Sequence, residues 1–300
     1  MCRQGFLWAS CASRSPASGA WSASGTPWRG TSERSKISKM SDFWIMRPFS
    51  PVFFLLLALF LLILIAAAAL LRGRSERTKA LVISAACWLT LLGFIAYKYF
   101  LSIDAELNEL TASMGGFNWW GELPLQLCNI NMLLIPVAVL KRYRPLLSFC
   151  FFVGPLGALM ALVMPGTGFN GYSIFLPRML GYYGTHFMVM IEALAIAAFG
   201  LYRPRFRDLP LTMLALFVIA FAIFCIDMLL RVSALHPKAN YFFAVETEGN
   251  PLLELFHSWI PVPFLFLLPS IVILGVYAGV ITAGFALAER FGAGKRKKQA

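Results

Sequence analysis

Cys128 and His186 are the two side chains in this sequence best suited to nucleophilic chemistry. Each stands in a long apolar segment. Cys128 lies within Glu122–Leu140, ELPLQLCNINMLLIPVAVL. The first ten residues of that segment also carry Glu122, Gln126, Asn129 and Asn131. Polar groups in hydrocarbon cost free energy unless they are paired or face a cavity. A thiol needs a base to become the attacking thiolate. An intramembrane histidine is the natural base, and His186 lies in a later apolar segment, Met179–Gly200. The expected chemistry is therefore nucleophilic attack by a cysteine, with histidine moving the proton.

The other cysteines do not share this setting. The six are Cys2, Cys11, Cys87, Cys128, Cys150 and Cys225, with no CxxC and no metal-ligand spacing. Cys87, Cys150 and Cys225 sit in apolar runs and read as small packing residues. No metal site and no cofactor motif is expected.

Composition says what must position these residues. The chain has 300 residues, 59% hydrophobic and 13% charged, with a mean hydropathy of +0.72. Soluble domains carry about 25% charged residues. An all-α, polytopic membrane protein is expected, a seven-transmembrane helix bundle. Crossing the hydrocarbon takes about 20 apolar residues. Seven segments meet this: residues 51–71, 80–100, 122–140, 146–164, 179–200, 209–231 and 263–288. The net charge of +12 marks one membrane side rather than nucleic-acid binding.

The basic residues alternate. Arg72, Arg74, Arg77 and Lys79 follow the first segment, Lys141, Arg142 and Arg144 the third, Arg203, Arg205 and Arg207 the fifth. The other connections are poor in Lys and Arg. The positive-inside rule predicts an external N-terminus and a cytoplasmic C-terminus. Residues 1–39, with nine Ser and six Lys or Arg, read as a disordered or mis-called extension. Residues 40–290 form the membrane domain. Residues 291–300 are a basic cytoplasmic tail that anchors to anionic lipid.

Depth then groups the polar residues. Cys128 and His186 lie about 10 Å below the external end of their segments, at 1.5 Å per residue. Lys98, Arg178, Asp227 and Arg231 fall on the same side. A pocket among the third, fifth and sixth segments is expected. If the third segment is helical throughout, Glu122, Gln126 and Asn129 share one stripe. Asp227 and Arg231 are spaced to pair with each other, and Tyr182 stacks on His186. Lys98 is expected to snorkel to the interface.

These motifs resemble a known family. ELPLQLCNINMLL resembles the LPLHLC-type signature of the YwaF-like bacterial membrane proteins, which are related to the transmembrane-protein-164 acyltransferases. GYYGTHFMVMIEAL resembles the family's histidine-bearing span, and NYFF at Asn240–Phe243 its external loop. Gln126 departs from the signature, where histidine is the common residue. The resemblance implies transfer of fatty acyl groups between phospholipids, with Cys128 as nucleophile and His186 as base.

Carried over, the reaction attacks a phospholipid acyl ester in the outer leaflet, and a lysolipid or water accepts the acyl group. Gln126, Asn129 and Asn131 are expected to line the substrate and donate to the oxyanion. Asp227, Arg231 and Arg178 are expected around the headgroup. The expected partners are membrane lipids, with no nucleic acid; the oligomeric state is not legible. The expected location is a bacterial plasma membrane. The alternative is a transporter or a lipid- or solute-binding protein without covalent chemistry, in which Asp227, Glu192 and His186 relay protons. A sensor role also remains open.

Overall fold

The computed structural model describes residues 42–112, 116–166 and 168–297. The extension over 1–39 and the last three residues of the tail lie outside the described residues. Six helices are long and apolar enough to cross a membrane. In chain order the elements are β1 (Ile45–Met46), α1 (Pro51–Leu70), α2 (Glu76–Ser102), α3 (Ala105–Thr111), α4 (Asn131–Lys141), α5 (Arg144–Val163), β2 (Tyr172–Ser173), α6 (Pro177–Ala198), α7 (Leu209–Val232), α8 (Pro251–Trp259) and α9 (Leu268–Lys297).

Local chemistry sets the helix starts. Ser50 caps α1 by accepting from Phe53 N at 3.3 Å, and Pro51 occupies the first turn, where its missing N–H costs nothing. Ser75 caps α2 in the same way. Helix α1 is apolar on every side, yet only Val52 and Phe53 are buried. A helix that exposes Leu55, Leu59, Leu62 and Ile65 is solvated by lipid, not water. Helices α5 and α6 make up the buried centre, with Phe149, Phe152, Tyr183 and Phe187 fully enclosed.

The third expected segment is not a continuous helix. Glu122–Ile130 runs as successive turns, and the helix begins only at Asn131. This corrects the expected stripe of Glu122, Gln126 and Asn129. Pro124 has no N–H to donate and disfavours helical geometry at Leu123. The freed backbone groups find other partners: Leu123 N donates to Tyr241 Oη at 3.1 Å, and Phe242 N donates to Gln126 Oε1 at 3.3 Å. Non-helical backbone at this depth is tolerated because protein surrounds it. Helix α4 then adds 11 residues, about 16 Å.

Ion pairs sort the connections into two ends. At the basic end, Arg142 pairs with Glu76 at 2.8 Å, Arg144 with Asp208 at 2.7 Å, and Arg203 with Glu289 at 3.0 Å. These contacts join the α1–α2, α4–α5 and α6–α7 connections to the C-terminal part of α9. At the other end, β1 pairs antiparallel with β2. Arg178 there bridges Asp104 at 3.0 Å and Glu106 at 2.8 Å. Asn118 Nδ2 donates to Leu235 O, and Tyr241 Oη to Trp120 O.

Candidate functional site

Cys128 occupies the last part of the turn segment and is 6% exposed. Its Sγ donates to Asn129 Oδ1 at 3.5 Å. The segment packs against Gly157 on α5. A Cβ placed there would stand 3.4 Å from Cys128 N and 3.6 Å from Cys128 Cβ. Gly154, three residues earlier, abuts Ala193 of α6 and Asn131 of α4. Small residues let membrane helices approach closely. The G-P-L-G run in α5 is the sequence signal for this contact.

His186 is carried by α6 and is 7% exposed. Its Nδ1 lies 2.7 Å from Tyr182 O. A carbonyl oxygen only accepts, so Nδ1 bears the proton and Nε2 keeps the lone pair of a base. The Tyr182 and His186 rings are 4.4 Å apart, as the i, i+4 spacing predicts. Tyr182 Oη donates to Ala161 O of α5 at 2.8 Å, and its ring stacks on Phe169.

Both residues are tied to α5. Helices α5 and α6 are antiparallel, as the pairs Ala161–Tyr182 and Gly154–Ala193 require. The close Gly154–Ala193 contact sets His186 opposite Ala161, which also accepts from the Tyr182 hydroxyl. Gly157, on which Cys128 rests, is one turn of α5 away. The resting thiol is bonded to Asn129, and no hydrogen bond joins Cys128 to His186. The Lys98 charge lies within electrostatic reach of both.

Lys98 does not snorkel. Its Nζ bonds Glu122 at 2.5 Å and lies over the rings of Phe94 and Tyr97. The acidic partner sits six residues before Cys128, so the pair ties the turn segment to α2. Tyr97 in turn packs against Gly181, where a Cβ would fall 2.2 Å from the ring.

Several expected substrate residues hold the loop after α7 instead. Asp227 and Arg231 do not pair with each other. Asp227 Oδ1 accepts from Tyr241 N at 2.9 Å. Arg231 donates to Ala239 O at 2.6 Å and to Glu246 at 2.9 Å. Gln126 is taken by Phe242 N, so its Oε1 does for the backbone what a histidine nitrogen would do only as an acceptor. Arg178 is 2% exposed and is neutralised by two carboxylates, which corrects its expected place at a lipid phosphate. Asn131 is fully buried and donates to Leu127 O at 3.0 Å. Of the expected site residues, Cys128 packs on Gly157, Asn129 bonds the Cys128 thiol, and His186 bonds Tyr182, whose hydroxyl reaches Ala161 one turn along α5. Among the described residues, no three His, Cys, Asp or Glu side chains are grouped as metal ligands would be.

Residues 46–282 match the TMEM164 family. The chain belongs to the TMEM164 family. The match takes in the turn segment with Cys128, the α6 helix with His186 and the loop around Tyr241. The relation expected from those three motifs therefore holds. No curated protein and no solved structure matches the chain. As a TMEM164-family protein with six long apolar helices, it is a multi-pass integral membrane protein.

Proposed function

We propose that this protein is a membrane-embedded lipid acyltransferase or lipid hydrolase with Cys128 as nucleophile and His186 as base. The observation that carries the reading is the register of α5 and α6. It supports a His186 that faces α5 one turn from the glycine on which Cys128 rests, with Nδ1 directed to Tyr182 O.

In the reaction, Cys128 turns from Asn129 toward His186, a rotamer change. Nε2 takes the thiol proton, and the thiolate attacks the carbonyl carbon of a phospholipid ester. The ester C–O bond breaks as the lysolipid oxygen leaves with the proton held on His186, and the acyl group stays on Sγ as a thioester. A second lysolipid hydroxyl, or water, gives its proton to His186 and attacks the thioester. Sγ leaves and recovers the proton. Asn129, which already accepts from the Cys128 thiol, supplies the adjoining side-chain amide for the oxyanion, whereas Asn131 gives its Nδ2 to Leu127 O.

The topology proposed with this chemistry is seven crossings, the third made by the turn segment and α4 together. The gathering of basic connections at one end supports a cytoplasmic C-terminus and an external N-terminus. The site then opens toward the outer leaflet, with phospholipid and lysolipid as substrates, in a bacterial plasma membrane.

The test is incubation of the purified protein with phospholipid carrying a labelled acyl chain, with and without lysolipid. Label is expected on Cys128 and in new lipid, and is lost in Cys128→Ala and His186→Ala. No transfer over a broad lipid panel, with Cys128 unlabelled, overturns the reading.

A second reading, solute or proton transport, draws on Glu192. Its buried carboxylate accepts from Thr90 at 2.5 Å, and Oε2 has no donor. A transporter keeps its function in Cys128→Ser; an acyltransferase does not.

A further inference from the structure

Beyond the far end of α4, at the basic end of the bundle, a pocket of about 140 Å³ opens between Glu76, Arg142 and Arg144. Val139, Leu147 and Leu201 form its apolar wall. Arg142 is held there at a cost in backbone conformation. Its φ is 53°, the left-handed region that a residue with a Cβ rarely adopts. That turn ends α4, and the ion pair to Glu76 fixes the side chain across the mouth.

Both guanidiniums are only partly used. Arg142 gives Nη1 to Glu76. Arg144 gives Nε and Nη2 to Asp208 and Arg203 O. Among the described residues, Arg142 Nε and Nη2 and Arg144 Nη1 have no partner. Two forked cations with donors to spare suit a tetrahedral phosphate better than a single carboxylate. Arg77, Lys79 and Lys141 add positive charge close by in sequence.

We propose that this pocket binds a phosphate-bearing anion, held by Arg142 and Arg144, and that its source is the headgroup of an anionic phospholipid. The place of the pocket decides between sources. It lies at the basic end of a membrane-spanning bundle, where the headgroups of anionic lipid are the concentrated phosphate. Basic pockets between membrane helices hold headgroups in this manner. Glu76 competes with the phosphate for Arg142. The site is at the opposite end of α4 from Cys128, so it stands whether or not Cys128 is a nucleophile.

Native mass spectrometry of the full chain in detergent tests this, with phosphatidylglycerol, phosphatidylcholine and inorganic phosphate as the three probes. Wild type is expected to retain phosphatidylglycerol over phosphatidylcholine. Arg142→Gln is expected to weaken that retention about fivefold, and Glu76→Gln to strengthen it by freeing Arg142. The opposite signs of two substitutions that break the same ion pair separate binding from mere loss of structure. Arginine-dependent binding of inorganic phosphate, with no preference between the lipids, keeps the phosphate site but overturns the lipid source. Equal binding of every probe by all three proteins overturns the proposal.

Discussion

Gly157 of α5 packs against the Cys128 backbone, one turn from Ala161, which accepts from Tyr182 of the His186-bearing helix α6. The two candidate catalytic residues are 58 positions apart in sequence, and neither fixes the other's place. Both elements pack on a third, α5, the turn segment at Gly157 and α6 through Tyr182 at Ala161. At Gly157 a Cβ would meet Cys128 at 3.4–3.6 Å, ordinary van der Waals contact. Gly157→Ala is therefore expected to keep most acyl transfer, and Gly157→Val to displace Cys128. Alkylation of Cys128 and lipid turnover, measured together, check this: valine changes both while the helical content stays constant.

Gly181 is less forgiving. A Cβ there meets the Tyr97 ring at 2.2 Å and Tyr97 Cβ at 2.7 Å, neither of which is a flexible chain end. Gly181→Ala is expected to destabilise the protein by about 1–3 kcal/mol, as overpacking of a full core does. The thermal midpoint in detergent measures it. Tyr97→Leu in the same chain should recover part of the loss by removing the ring.

Asp227→Ala distinguishes a loop anchor from a substrate contact. The substitution leaves Tyr241 N buried without its acceptor, at about 1–3 kcal/mol. Proteolysis within the 240–250 loop should rise. Asp227→Asn retains an acceptor oxygen and should behave like wild type. If the asparagine variant instead loses turnover with an intact loop, the carboxylate charge serves the reaction.

Stability should fall in mild acid through His236, which lies outside the membrane-spanning helices. Burial holds its pKa below the ordinary histidine value; Glu122 opposes that shift and Arg231 adds to it. The imidazole abuts Gly121, where a Cβ would stand 2.9 Å from Nε2. The unfolded chain therefore binds a proton at higher pH than the folded one. The contribution is full above about pH 6.5, the unfolded value, and is lost as pH falls through the lower folded value. Thermal midpoints of wild type and His236→Gln, compared from pH 8 to pH 5, check the sign. The variant should lose less stability on acidification.

Local patterns in the sequence determined the membrane class, the positions of six long apolar helices, the gathering of basic residues between them and the stacking of Tyr182 on His186. Each depends on composition or on spacing within one helix, where neighbours are fixed by 3.6 residues per turn. Tertiary structure decided what the polar residues do. Helical spacing offered Asp227 to Arg231, but the backbone of Tyr241 and the carboxylate of Glu246 took them. A continuous helix was expected from Glu122, but Pro124 and the loop around Tyr241 and Phe242 unwound it to Ile130. Lys98 reached Glu122 rather than the interface. In an apolar interior a polar group pairs with whichever partner is closest in space. That choice is set by helix register and by close approach at Gly154, Gly157 and Gly181, and neither is written in the period of any single segment.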